Sequence, residues 1–199
     1  GLLTVPTAAV APAGQFQFAA DMQGADDVFP IRALYGFGGN FEIGANFITG
    51  NGLEDDVWGI NAKYALPYTF GDAAWGVGAL YQDSDSASTI GAYLSLTKEF
   101  EKNFSGTASL MYSDVDFDDE EFATQVEDDS NWAFALGAQA TLDNGLTLIG
   151  EYVNSLPGGS LNAAARYPLT DALTAQVGFV NDLSNVTIGF NYVFGGSAE

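Results

Sequence analysis

The sequence predicts an all-β fold: a closed, up-and-down, antiparallel transmembrane β-barrel of about twelve strands, with short turns at one end and longer acidic loops at the other. Three observations carry this expectation. Apolar and polar residues alternate in twelve separate runs, which is the period of a strand with two unlike faces. Nearly all the aromatic rings in those runs share one face. The connections also alternate, one short and rich in turn residues, the next longer and more acidic.

The first run, 15–21, sets Phe16 and Phe18 against Gln15 and Gln17. The second, 31–37, opposes Tyr35 and Phe37 to Arg32 and Gly36, and the third, 41–48, opposes Phe41, Ile43 and Phe47 to Glu42, Gly44 and Asn46. Gly38-Gly39-Asn40 between them is a hairpin signal, because Gly and Asn tolerate positive φ. Run four, 57–66, has Trp58, Ile60 and Tyr64 facing away from Gly59, Asn61 and Lys63. After the connection 67–72, run five, 73–82, carries Trp75 and Tyr81 on the apolar face and Gly76 and Gly78 on the other. Run six, 89–99, has Leu94 and Leu96 opposite Thr89, Gly91, Ser95 and Thr97, and Tyr93 is the one strand aromatic on the polar face.

Glu101-Lys102-Asn103 leads into run seven, 104–113, with Phe104, Leu110 and Tyr112 against Ser105, Thr107 and Ser109. Run eight, 132–142, pairs Trp132, Phe134 and Leu136 against Gly137, Gln139 and Thr141. The strong turn Asp143-Asn144-Gly145 opens run nine, 146–153, where Leu148 and Tyr152 oppose Glu151. Runs ten to twelve are 161–168, 173–180 and 186–194. They place Tyr167, Phe179, Ile188, Phe190, Tyr192 and Phe194 on the apolar side, and Asn162, Arg166, Thr174, Gln176, Thr187 and Asn191 on the polar side. No helical window competes, and 24 Gly residues suit helices poorly.

The polar face is small and uncharged, whereas a soluble β-sandwich would carry Lys, Glu and Arg on its water-facing strand positions and could not hold so many rings inside. The aromatic face is therefore expected to meet lipid, as girdles around an apolar belt about 25 Å tall, and the small polar face to enclose water. Trp58, Trp75, Trp132, Tyr152, Tyr192 and Phe194 are the expected girdle residues. A bilayer cannot satisfy a bare sheet edge, so such a sheet must close. The expected organisation is an extension over 1–14, periplasmic or luminal, with Pro6 and Pro12 blocking regular pairing, a barrel over 15–194, and a tail over 195–199.

Composition excludes much chemistry. Cysteine and histidine are both absent, which removes disulfides, thiolate nucleophiles, imidazole ligands and histidine bases. Five basic residues against 26 acidic ones would repel nucleic acid. No stretch approaches the roughly 20 apolar residues of a spanning helix, and the opening "GLLTVPTAAVAPAG" has neither the basic start nor the hydrophobic segment of a signal peptide, which is compatible with a mature chain after cleavage but does not show one. With 47% hydrophobic and 16% charged residues, the charges must be segregated. Eighteen carboxylates, Asp21 among them, sit at the loop end and five at the turn end, whereas a halophile-type acidic coat would spread over the strand faces too.

Over 15–194 the chain resembles a bacterial outer-membrane β-barrel of the small, porin-like kind. "NVTIGFNYVF", residues 185–194, is similar to the C-terminal strand signal of that class, ending in Phe, although "GGSAE" follows here. Over some twenty residues, "GLLTVPTAAVAPAGQFQFAAD" also resembles lipid-exporting and polysaccharide-associated envelope proteins with a Gly-Leu-Leu-x-x-Pro-Thr-Ala start. The resemblance implies an integral outer-membrane protein in contact with membrane lipid and small solutes. Some twelve-stranded barrels of this kind are monomeric channels for acidic sugars, but their lumens are far more basic, so that specificity does not carry over. Outer-membrane phospholipases and omptin-type proteases use a catalytic histidine, which this chain lacks; with Glu42 and Glu151 far apart in strand order, no enzyme activity and no cofactor are expected.

Five charged residues fall on the luminal face: Arg32, Glu42, Lys63, Glu151 and Arg166. They are the candidates for a selectivity constriction in a narrow water-filled channel, with a diagonal Glu151–Arg166 ion pair as the structural alternative. The loop from Asp114 to Asp129 carries nine carboxylates in sixteen residues. Asp114, Asp116, Asp118, Asp119, Glu120 and Glu121 form an acidic rim suited to loose Ca²⁺ or Mg²⁺ bridging, or simply a solvated loop. It is no EF-hand, since Asp119 stands where Gly is required and Gln125 where the bidentate Glu belongs. The alternative function is a non-conducting structural or surface barrel, its acidic loops binding partners or divalent cations and its wall packing into homo-oligomers or arrays.

Overall fold

A computed structural model describes residues 2–24, 27–51, 53, 55–117, 130–155 and 158–195. Twelve strands form one closed antiparallel barrel in sequence order: β1 (Gln15–Gln23), β2 (Val28–Gly38), β3 (Phe41–Gly50), β4 (Val57–Phe70), β5 (Ala73–Asp83), β6 (Ala87–Glu101), β7 (Phe104–Phe117), β8 (Ser130–Thr141), β9 (Thr147–Ser155), β10 (Gly158–Pro168), β11 (Leu173–Val180) and β12 (Asn185–Gly195). Each lies where the alternation predicts. The seam is β1 against β12, in register from Gln15↔Gly195 to Gln23↔Thr187, so no edge is left open to lipid.

Strands extend into several expected connections: β1 and β2 into 22–30, β7 into 114–131, and β9 and β10 into 154–160; one turn contracts as well. Residues 67–72 were assigned to a turn, yet β4 continues through Pro67 and pairs Phe70 with Ala73. A register shift between Ala65 and Thr69 absorbs the proline, whose missing N–H cannot join the ladder, and the turn shrinks to Gly71-Asp72 at positive φ.

The outer wall is apolar and open. Ile60, Ile90, Leu110, Leu136, Leu148 and Ile188 all expose large parts of their side chains, which is tolerable only against hydrocarbon. Rings cluster in two bands. Trp58 with Tyr81, Tyr112 with Trp132, and Phe134 with Tyr152 pack at centroid distances of 5.6, 5.1 and 5.9 Å towards the loop end. Phe16, Tyr192 and Phe194, with the pairs Tyr35–Phe37 and Phe100–Phe104, form the band at the turn end. Trp75 also lies on the outer wall near that end, half-buried beside Leu94 and Leu96.

The core is inside the barrel and has an unusual owner. Residues 2–14 run through the lumen instead of away from it. At Gly14, in the left-handed region with φ 72°, the chain turns from β1 back into the barrel, and the Gly14 N–H donates to Gly36 O at 2.8 Å. From there the segment crosses the turn-proximal half of the lumen. Leu2, Val5, Ala8 and Ala11 are almost fully buried, and Leu2 and Val5 join Ala135, Ile149 and Ala164 in a small apolar cluster.

Candidate functional site: the lumen

The barrel's parity rule decides what faces inward. Hydroxyls meet across neighbouring strands in the directly paired positions: Ser95 with Ser109 at 2.9 Å, Thr97 with Thr107 at 3.0 Å, and Thr141 with Thr147 at 3.0 Å. Such pairs satisfy one another, so the wall stays polar without charge. Tyr93 does face inward, its ring lying over Gly78, where no side chain could fit beneath it.

Three luminal glycines have a role that parity alone does not reveal. A Cβ at Gly36 would strike the Pro12 carbonyl, one at Gly137 would strike Leu2 Cδ1, and one at Gly76 would come within 2.9 Å of Ala8 Cα. Together they make a hollow into which the 2–14 strap fits. Some of the small inward residues therefore serve strap packing, which modifies the expectation that the small polar face simply encloses water.

The strap is held by side chains identified from sequence. Glu151 is 4% exposed and its carboxylate accepts the N–H groups of Leu3, Thr4 and Val5 at 2.5, 3.0 and 3.2 Å, together with the Thr4 hydroxyl at 2.8 Å. Consecutive amides converging on one carboxylate form an anion nest, which satisfies a buried charge. At the other end of the strap, Glu42 accepts the Ala11 N–H at 2.6 Å and pairs with Lys63 at 2.7 Å. Both members of that pair are buried. Between these anchors, the Ala8 N–H donates to Thr97 Oγ1 and the Ser109 hydroxyl to Pro6 O.

Arg166 donates from Nε to Gln176 Oε1 and from Nη2 to Leu2 O, each at 2.6 Å. The register places Glu151 opposite Asn162 and Arg166 opposite Thr147. The two are thus four residues apart along the ladder, twice the separation of the expected diagonal pair. Arg32 pairs instead with Asp21. Asp21 is a sixth luminal charge, which the sequence reading assigned to the loop end: it is 7% exposed, lies in β1 opposite Gly189, and accepts from Gln176 Nε2 at 3.2 Å. Its position was readable, since Asp21 shares parity with Gln15 and Gln17. As the last residue of the 15–21 run it is counted with the loop-end carboxylates, whereas β1 continues to Gln23.

Arg32, Asp21, Gln176 and Arg166 therefore form a continuous polar chain along β2, β1, β11 and β10 that ends on the strap. Beside this chain a cavity of about 820 Å³ remains. Its lining extends from Gln82 and Ser113 on the loop side to Gly145, Thr147 and Pro168 on the turn side, passing Gln17, Thr174 and Asn191. Strap residues Leu3 to Pro6 form part of its wall.

The acidic rim is only partly described. Asp114 and Asp116 are exposed on the outward parity of β7, opposite Ser130 and Ser88, and so face away from the lumen. Asp118, Asp119, Glu120 and Glu121 lie outside the described residues. Among the described residues no three carboxylates converge as a metal site would need.

No protein-family model matches the sequence, and no curated protein matches it. Among solved structures the likeness is clear. The KdgM porin in complex with disordered oligogalacturonate is 14% identical with a TM-score of 0.69, over 90% of this chain and 99% of that one. An outer-membrane channel from Pseudomonas putida F1 is 10% identical with a TM-score of 0.67, over 98% and 100% of the two chains. The NanC porin is 10% identical with a TM-score of 0.64, over 92% and 100%. Identities this low speak for fold alone. Joined to an exterior that only hydrocarbon can cover, that fold makes the chain an integral outer-membrane β-barrel of porin-like architecture.

Proposed function

We propose that the barrel is a channel for the passive diffusion of small solutes, narrowed by its own N-terminal strap. The observation that carries this reading is the cavity of about 820 Å³ beside the strap, lined by polar residues from both ends of the barrel. Twelve strands leave more room than eight, whose interiors are filled by their own side chains, and here the strap occupies part of that room. Titanic flux is not expected from so constricted a path. Glu42, Glu151 and Asp21 are each engaged by amides or a cation of the protein itself.

In planar lipid bilayers, purified barrels should give discrete current steps that grow in proportion to salt concentration. Silence from protein shown to be folded, by its heat-sensitive gel mobility, rejects the channel and favours a structural barrel.

A further inference from the structure

Taking the channel as given, we infer that its lumen is built for uncharged, hydroxyl-bearing solutes of about sugar size rather than for ions or acidic molecules. The luminal charges named here balance: Asp21, Glu42 and Glu151 against Arg32, Lys63 and Arg166. Each also has a partner within the protein. Arg32 is paired with Asp21, Lys63 with Glu42 at 2.7 Å, Arg166 with Gln176 and Leu2 O at 2.6 Å, and Glu151 with the strap amides. A charged solute would have to break one of these arrangements to be compensated, and would otherwise enter a confined space with its own hydration stripped.

Asp21, Arg32, Glu42, Lys63 and Arg166 line the cavity in these engaged states, and the uncharged polar groups beside them are largely amides. Gln17, Asn46, Asn61, Gln82 and Asn191 line the cavity, and a carboxamide can both donate and accept, which matches a hydroxyl group and favours neither sign of charge. The Tyr93 ring, on the same wall, offers an apolar face. The cavity, about 820 Å³, lies within the roughly 300–1,000 Å³ of small-molecule sites. Both mouths are acidic in addition, with Asp27, Asp55, Asp56, Asp83 and Asp85 on the loop side and Asp72, Glu99, Glu101, Asp143 and Asp171 on the turn side, so anions meet an unfavourable field before they reach the lumen.

The test is uptake of radiolabelled glucose, gluconate and glucosamine into proteoliposomes at pH 6. These probes are close in size and differ in charge. An ionic strength near 0.3 M shortens the screening length to about 5–6 Å and mutes the mouths. Glucose should enter at least about fivefold faster than either charged probe. Asp21→Asn leaves Arg32 uncompensated and should raise gluconate uptake at least about twofold relative to glucose, while Arg32→Gln does the same for glucosamine. Glucose uptake itself reports that each variant is folded and open. Gluconate or glucosamine matching glucose in the unaltered protein, or an order of preference that neither substitution moves, overturns the inference and leaves the channel standing. Failure of all three probes to enter overturns the channel itself, and the inference with it.

Discussion

Glu151 shows how one residue can organise a lumen. Its inward direction follows from the alternation around Leu148 and Tyr152, but its partners are backbone N–H groups some 146–148 residues away in sequence. Hydrogen bonds to a charged acceptor are worth about 1.5–3 kcal/mol each. Glu151→Gln keeps the shape but turns part of the acceptor into a donor facing other donors. A loss of about 1.4 kcal/mol raises the released population of the strap tenfold. Because the chain has no cysteine, Val5→Cys supplies a clean reporter at a position only 1% exposed. Maleimide labelling of that cysteine should be about tenfold faster in the Glu151→Gln background. Equal labelling rates would mean that Glu151 does not hold the strap.

The strap is the element on which most depends. Leu2, Val5, Ala8 and Ala11 recur every third residue, the period of an extended polyproline-like chain, and Pro6 and Pro12 suit that conformation. With one face in three buried against the wall glycines and the other groups tied to side chains, it needs no ladder of its own. Deleting residues 2–11 leaves all twelve strand pairings intact, so the barrel should still fold. Single-channel conductance should then rise at least about twofold, since the strap occupies cross-section the current could use. Unchanged conductance would show that the strap is not the constriction. A period of three over so short a stretch was present in the sequence; it acquires meaning only beside a wall whose hollows match it.

At the scale of the whole molecule, the outside governs stability and the inside governs traffic. Leu136 stands between the loop-end and turn-end aromatic bands and is 50% exposed on the outer wall. Leu136→Arg places a charge in hydrocarbon and should cost about 2–4 kcal/mol in denaturant titrations of the barrel folded into vesicles. Gln139→Arg, three residues along and facing the cavity, should cost less than about 1 kcal/mol, because water is available there. Similar costs at the two positions would contradict the assignment of faces.

The alternation of residues 15–194 by itself determined the twelve strands, their up-and-down order and which face meets lipid. The reason is that strand parity is local: the pleat sends successive side chains to opposite sides whatever the strand's neighbours do. Arg32, Glu42, Lys63, Glu151 and Arg166 were placed inward on that rule alone. Only the closed structure decided what those charges do, because Thr4 meets Glu151 and Leu2 meets Arg166 through closure of the barrel around the segment that precedes β1, not through any spacing along the chain. The strap's place, the pairing of Asp21 with Arg32 and the shape of the remaining cavity are consequences of register summed around twelve strands, and no window of sequence carries that sum.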